Sequence, residues 1–145
     1  MTARETTEGA LVDRLLDEVL LSGDIEALPT IVHPNVRVSD VAFDSSYQGI
    51  DEYAGHFEMM RNAFSDIRMT HEILAACDGV VTVEYEFTGR NTGPFMGQDP
   101  SGRDVSFRGI DVYTVVDGKI AEVRGSFDLY GLRAAIEGEE PFEGE

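Results

Sequence analysis

Two aspartates are spaced so that each carboxyl lies on the apolar face of a predicted strand. Asp40 follows Val38 by two residues, and Asp111 precedes Tyr113 by two residues. Alternate residues of a strand share a face, so both carboxyls are expected to face an apolar interior. Removal from water disfavours the charged form and raises the pKa of a carboxylic acid. A carboxyl tuned in this way can accept a proton when ionised and donate one when protonated.

A third carboxyl, that of Asp128, follows Phe127 at the end of the last predicted strand. Its position makes it a candidate for the same acid and base chemistry as Asp40 and Asp111. Aspartates are also mostly solvated surface residues, and this chain is rich in acidic residues. For all three positions the sequence therefore leaves a catalytic role and a surface role open.

The three histidines do not have the spacing of metal ligands. There is no H-E-x-x-H or similar pattern, so no metal site is expected. His33 precedes Pro34 and is interpreted as a helix end, and His56 as a surface residue on the polar side of a helix. His71 alternates with apolar residues and is interpreted as a core or pocket histidine.

Aromatic side chains in the same elements could line a pocket or could simply form the core. Side chains that line a pocket also belong to the core around it, so the sequence does not separate the two roles. The residues concerned are Tyr53, Phe57, Tyr85, Tyr113 and Phe127.

The first half of the chain has mainly helical periodicity. Apolar residues recur at i, i+3 and i+4 over 9–22, which predicts an amphipathic helix. A short second helix is predicted over 24–32, ended by Pro34. A strand over 36–43 and a polar loop over 44–49 then lead to a third helix over 50–64.

From residue 66 onward the apolar period changes to two, which indicates strands. Four are predicted, beginning near residues 67, 81, 105 and 120, with a Gly- and Pro-rich loop over 89–102. The pairs Asp78-Gly79 and Asp117-Gly118 are hairpin turn signals. A short helix over 129–136 and an acidic, disordered tail over 137–145 complete the chain. Helices followed by antiparallel strands favour one α+β domain over 1–136.

Composition excludes several classes of protein. Eleven basic against 28 acidic side chains give a net charge of −17, which argues against a nucleic-acid or anionic-membrane partner. The longest apolar run is 73–77, too short to span a bilayer. The N-terminus lacks a signal-peptide core, and the single cysteine, Cys77, excludes an internal disulfide framework. A soluble, cytoplasmic protein is expected.

The acidity itself has two interpretations. The chain has only one lysine, Lys119, and molar salt would screen the self-repulsion of so negative a surface. One interpretation is adaptation to a salt-rich cytoplasm, and the other is a GC-rich genome combined with an acidic tail.

Four segments, taken in order, resemble the SnoaL-like polyketide cyclases of the nuclear-transport-factor-2-like superfamily. They are 22–28 (SGDIEAL), 47–51 (YQGID), 91–103 (NTGPFMGQDPSGR) and 117–128 (DGKIAEVRGSFD). Together they span the chain from about residue 10 to residue 135. The resemblance implies a cone-shaped barrel, in which a curved and mostly antiparallel sheet wraps around the N-terminal helices and encloses a central pocket.

The resemblance also implies roles for individual residues. In the cyclases a carboxylate on the last strand acts as general acid and base, and Asp128 matches it. Asp40 and Asp111 look like the base and the oxyanion-hole acid of ketosteroid isomerase, which shares the superfamily and keeps one acid ionised and another neutral. The departures are Leu16, where that isomerase has a tyrosine, and Asn91 and Arg124, where the cyclases often have His and Trp.

Two functions follow as expectations. The first is a cofactor-independent cyclase, isomerase or hydrolase that acts on a small hydrophobic carbonyl compound. Its candidate catalytic residues are Asp40, Asp111 and Asp128, and its candidate substrate-binding residues are Asn91, Tyr53, Phe57, His71, Tyr85, Tyr113 and Arg124. The alternative is a non-catalytic domain of the same fold that binds a small ligand or a protein. Relatives usually pair through the outer sheet face, which implies a homodimer.

Overall fold

The computed structural model describes residues 6–139 of the chain. Most of its helices lie near the two ends, and one lies between the second and third strands. Helix α1 (Thr7–Arg14) continues directly as a π-helix (Leu15–Leu21), and a 3-10 turn (Ile25–Ala27) leads into the short α2 (Leu28–Ile31). Helix α3 (Ile50–Ala63) precedes the long strands, and α4 (Leu129–Glu137) ends the described chain. None of the helices in this part of the chain is long and apolar enough to cross a membrane.

Six strands form one sheet. They are β1 (Val32–Asp40), β2 (Ser45–Gln48), β3 (Phe64–Cys77), β4 (Val80–Asn91), β5 (Asp104–Val116) and β6 (Lys119–Phe127). Their spatial order is β2-β1-β6-β5-β4-β3. All neighbours are antiparallel except β1 and β6, which run parallel. The α+β architecture is confirmed, and the curved sheet remains open between its edge strands β2 and β3 rather than closing as a barrel.

The predicted hairpins form at the two Asp-Gly pairs. Asp78 and Gly79 have φ values of 52° and 79°, and Asp117 and Gly118 have 52° and 78°. Two consecutive positive φ angles are what a type I′ hairpin turn requires. These turns set the register of β3 with β4 and of β5 with β6, and therefore decide which residues face the helices.

The structure corrects three local expectations. β2 lies inside the predicted loop 44–49. Its four residues are mostly polar and carry no periodic signal, so the sequence did not predict a strand there. β1 begins at Val32, where the second helix was expected to continue. α4 ends at Glu137, one residue beyond its predicted end at 136, and Gly138, with a φ of 79°, caps it; residues 140–145 of the predicted tail lie outside the described residues.

The π-helix is held at its end by α3. Ser22 N donates to Asp17 O over 3.1 Å, the wide hydrogen bond of this helix type. Arg61 Nη1 of α3 donates to Leu20 O over 2.6 Å and to Leu21 O over 3.0 Å. These bonds satisfy carbonyls that a helix end otherwise leaves unpaired. They also fix the face of the helix that packs against the sheet.

Candidate active site

A small cavity lies between the helices and the inner face of the sheet. Its volume is about 100 Å³, and its wall combines apolar and aromatic side chains with a few polar groups. An engineered apolar cavity of about 150 Å³ binds benzene, so a ligand of this space is no larger than about one small ring. The polar side chains in its wall include Asp40, Asp111, His56 and four tyrosines: Tyr47, Tyr53, Tyr85 and Tyr113.

The two carboxyls meet across a glycine. Gly125 of β6 is the register partner of both Asp40 on β1 and Asp111 on β5. A Cβ placed on Gly125 would lie 2.7 Å from Asp111 Oδ1 and 3.4 Å from Asp40 Oδ2. The missing side chain at this position therefore leaves one small space that both carboxyls border.

Asp111 is tuned to exchange protons near neutral pH. Burial raises its pKa to about 7; a hydrogen bond from Tyr113 opposes the rise, and the charge of Asp40 adds to it. The Tyr113 hydroxyl donates to Asp111 Oδ2 over 2.9 Å. Since Oδ2 is engaged in this way, Oδ1 is the oxygen that faces Gly125 and Asp40.

Asp40 is oriented by its own backbone turn. Its Oδ1 accepts from Ala42 N over 2.8 Å, which leaves Oδ2 directed toward Gly125. The two aspartates thus each have one oxygen held by the protein and one oxygen free to meet a ligand.

His56 of α3 also borders the cavity, and its assignment to the surface was wrong. The imidazole stacks on Tyr53 at a centroid distance of 6.3 Å and meets the edge of Phe57 at 5.5 Å. Burial lowers the pKa of His56, and the charge of Asp40 partly opposes this. The sequence signal was present, because His56 falls three residues after Tyr53 and four before Met60, both of which are buried.

The aromatic candidates come together in the wall. Tyr53, Phe57, Tyr85, Tyr113 and Phe127 all border the cavity. Tyr85 can lie across the sheet only because its register partner is Gly109: a Cβ there would overlap the Tyr85 hydroxyl. This wall keeps the carboxyls in a largely apolar environment.

The model of the SnoaL-like polyketide cyclases matches residues 10–136. The chain belongs to this family. No curated protein matches it. Many solved structures do, and they support the same fold.

One similar structure is a protein of Jannaschia sp. CCS1 that is assigned to the SnoaL-like polyketide cyclases. The two sequences are 25% identical, the match covers 94% of this chain and 95% of that chain, and the TM-score is 0.84. Another is TsrD of Streptomyces laurentii, with 26% identity, coverage of 88% and 95%, and a TM-score of 0.75. An epoxide hydrolase of M. tuberculosis, at 19% identity, coverage of 91% and 90%, and a TM-score of 0.67, shares the fold.

Within this SnoaL-like domain, Asp128 does not border the cavity. It is exposed, and it is the N-cap of α4, where its Oδ1 accepts from Gly131 N over 2.8 Å. An aspartate is a favoured residue at this position because it satisfies a free backbone N–H. The structure therefore corrects its assignment as a pocket acid and base.

Asn91 is fully buried, but it fastens a loop instead of bordering the cavity. Its amide donates to Ala63 O over 3.2 Å and to Gly93 O over 2.9 Å, while its Oδ1 accepts from Ser101 N over 2.8 Å. These bonds join the end of α3 to both ends of the loop after β4. The structure gives Asn91 a structural role in place of the expected substrate contact.

Two further candidates also lie away from the cavity. His71 Nε2 is 2.6 Å from Asp13 Oδ1, a contact that joins β3 to α1. Arg124 is exposed, and its Nε lies 3.4 Å from Glu122 Oε1. Neither side chain borders the cavity, so their expected contacts with substrate are not supported. Within residues 6–139 no cluster of three or more metal-ligating side chains occurs.

Proposed function

We propose that this SnoaL-like domain is a cofactor-independent enzyme that transfers protons on a small, apolar carbonyl compound. The observation that carries the proposal is the convergence of Asp40 and Asp111 on the space above Gly125. Carboxyls in one cavity but with different environments can divide the tasks of base and acid between them.

The proposed chemistry begins with Asp40 as the base. Its free Oδ2 takes a proton from the carbon next to the carbonyl group, so that the C–H bond breaks and an O–H bond forms. The electron pair moves to the carbonyl oxygen as an enolate. Asp111, protonated below its pKa of about 7, donates from Oδ1 to the developing charge, since its Oδ2 is already engaged by Tyr113.

The enolate has two productive outcomes. When the enolate is conjugated with a double bond, return of the proton from Asp40 to a different carbon gives an isomer. When the enolate carbon instead attacks a second carbonyl group of the same molecule, a C–C bond closes a ring, and the resulting alkoxide takes the proton from Asp40. In both cases the aromatic wall excludes water, which strengthens the electrostatic interactions in the cavity. The chain's own residues supply every proton transfer.

A second candidate function is ligand binding without chemistry. It is favoured by Leu16, which presents an apolar side chain to the cavity at the place where the isomerase relatives have a tyrosine. In that case the carboxyls and hydroxyls of the wall would only orient a small polar group of the ligand.

Solvent-exchange measurements separate the two. We expect the protein to accelerate exchange of the α-protons of cyclohexanone in D₂O, followed by NMR. Asp40→Asn should slow this exchange by roughly 10²–10⁴-fold, the usual contribution of a positioned base. Asp128→Asn is the matched control, because asparagine still caps α4, and it should leave exchange unchanged.

Equal exchange by the wild type and by a folded Asp40→Asn variant would contradict the enzymatic proposal. Binding of cyclohexanone with no acceleration over buffer would support the ligand-binding function instead.

A further inference from the structure

We propose that the hydroxyl of Tyr47 is a binding site for the oxygen of the ligand, donating a hydrogen bond to a carbonyl, enolate or phenol oxygen inside the cavity. The enolate case rests on the function proposed above. The binding of an oxygen acceptor does not, because it follows from the position and partners of Tyr47 alone.

The register of β2 places Tyr47 on the inner face. In the antiparallel pair of β1 and β2, Tyr47 lies directly opposite Val38. Val38 is buried and borders the cavity, and residues opposite one another in a ladder project from the same face. The ring of Tyr47 packs 6.4 Å from that of Tyr53, which fixes its direction.

The Tyr47 hydroxyl is buried and has no hydrogen-bond partner. Among the buried side-chain nitrogen and oxygen atoms of residues 6–139, only this oxygen and Gln98 Oε1 lack one. Gln98 lies in the loop after β4, where its Nε2 donates to Glu137, and does not border the cavity. Buried polar groups are almost always satisfied, so an unsatisfied hydroxyl in a cavity wall indicates a bond that a ligand completes.

The surroundings keep this hydroxyl protonated. Burial raises the pKa of Tyr47, and the nearby charges of Asp40, Glu52 and Asp111 raise it further. A tyrosine that holds its proton is a hydrogen-bond donor at every physiological pH. An acceptor oxygen is therefore the partner that it fits.

Neither Tyr113 nor the residue at position 16 takes this place. That of Tyr113 already donates to Asp111, and Leu16 offers no donor from the first helix. β2 thus brings a hydrogen-bond donor to the cavity, although its sequence has no periodic signal. The two carboxyls, when ionised, would only repel a negatively charged oxygen of the ligand.

The test is Tyr47→Phe, with 4-nitrophenol as the probe, because it is a single ring whose phenol oxygen accepts a hydrogen bond and whose absorbance reports its environment. Its binding is followed by absorbance and by calorimetry, at a pH about one unit below the pKa of Asp111. We expect affinity to fall roughly 10- to 100-fold, the range for a hydrogen bond to a charged or strongly accepting group. Tyr130→Phe is the matched control, because Tyr130 is 66% exposed on α4, and it should not change the affinity.

The melting temperature adds a second readout. Removing a buried hydroxyl that has no partner should leave the melting temperature of Tyr47→Phe equal to or above that of the wild type. A lower affinity for the ligand without a loss of stability is the result expected when a side chain serves binding and not folding. A clear fall in melting temperature would show that the hydroxyl has a structural partner and would overturn the inference.

The two proposals can fail separately. If Asp40→Asn slows exchange but Tyr47→Phe binds 4-nitrophenol as tightly as the wild type, this inference is wrong and the enzymatic proposal stands. If Tyr47→Phe weakens binding but Asp40→Asn leaves exchange unchanged, the oxygen site stands and the enzymatic proposal is wrong. Failure of the wild type to bind the probe would also overturn the inference.

Discussion

Gly125 determines what the two carboxyls can do. A methyl group at this position would fall 2.7 Å from Asp111 Oδ1, so any larger residue would push the carboxyls apart or out of the cavity. Strand periodicity predicted the faces of Asp40 and Asp111 correctly, because each alternates with apolar neighbours. It could not predict that a glycine on β6, the strand that lies between β1 and β5 in the sheet, would bring them to a common space.

Other residues of the site show where sequence reasoning fails. Asp128 follows a strand directly, but the chain turns into α4 there and the carboxyl caps the helix. His56 was assigned by its polarity, although its helical spacing from Tyr53 indicated the buried side. Tyr47 was noted only as part of a motif, because nothing in a polar loop sequence indicated a strand.

Asp111 should make stability depend on pH in a recognisable direction. Its pKa rises from an ordinary 3.8 to about 7 in the folded protein, so the folded state binds the proton more tightly than the unfolded state. Its contribution is therefore favourable below pH 3.8 and is lost as the pH rises through about 7. Asp111→Asn should raise the free energy of unfolding above that pH, by about 4 kcal/mol at most for a shift of this size.

Urea unfolding of the wild type and of Asp111→Asn across this pH range checks the prediction. The difference between them should grow with pH. A difference for Asp111→Asn that stays constant with pH would mean that the folded protein does not hold this carboxyl neutral.

At the scale of elements, the long strands and the two hairpins were predictable, because alternation and Asp-Gly turns are local signals. The short β2, the early start of β1 and the π-helix were not, since each depends on partners distant in sequence. The π-helix in particular ends on bonds from Arg61 of α3, which no local pattern in residues 15–21 reveals.

The loop after β4 is expected to depend on Asn91. Asn91→Ala removes the amide that bonds Ala63 and Gly93 and leaves Ser101 N without its acceptor. Buried polar groups left unsatisfied should lower the free energy of unfolding by about 2–3 kcal/mol, as measured in urea. The exchange reaction should persist, because Asn91 does not border the cavity.

Asn62→Ala is the control for this change. Asn62 is exposed and adjacent to the same loop, so its side chain should contribute little. Equal stability of Asn91→Ala and Asn62→Ala would show that the buried hydrogen bonds do not hold the loop.

At the scale of the whole molecule, the net charge of −17 should make the fold sensitive to salt. Charges on so acidic a surface repel one another, and at 1 M salt screening reduces this repulsion beyond about 3 Å. We expect the melting temperature to rise steeply from dilute buffer to molar KCl. The rise should largely disappear near the isoelectric point of about 4.3, where the net charge is small.

A melting temperature that does not change with KCl would remove adaptation to high salt as an explanation of the composition. The single-domain boundary at residue 136 and the homodimer stay predictions. Light scattering across the same salt series tests the homodimer.

The parallel pairing of β1 with β6 has a consequence for how the protein is made. Asp40 on β1 is translated before the strands β2 to β5, whereas Gly125, which lies between it and Asp111 in the sheet, follows them on β6. A nascent chain that stops before the last strand can form the hairpin of β3 and β4 but has no carboxyl pair. The space that both carboxyls border therefore forms only when β6 is added to the sheet.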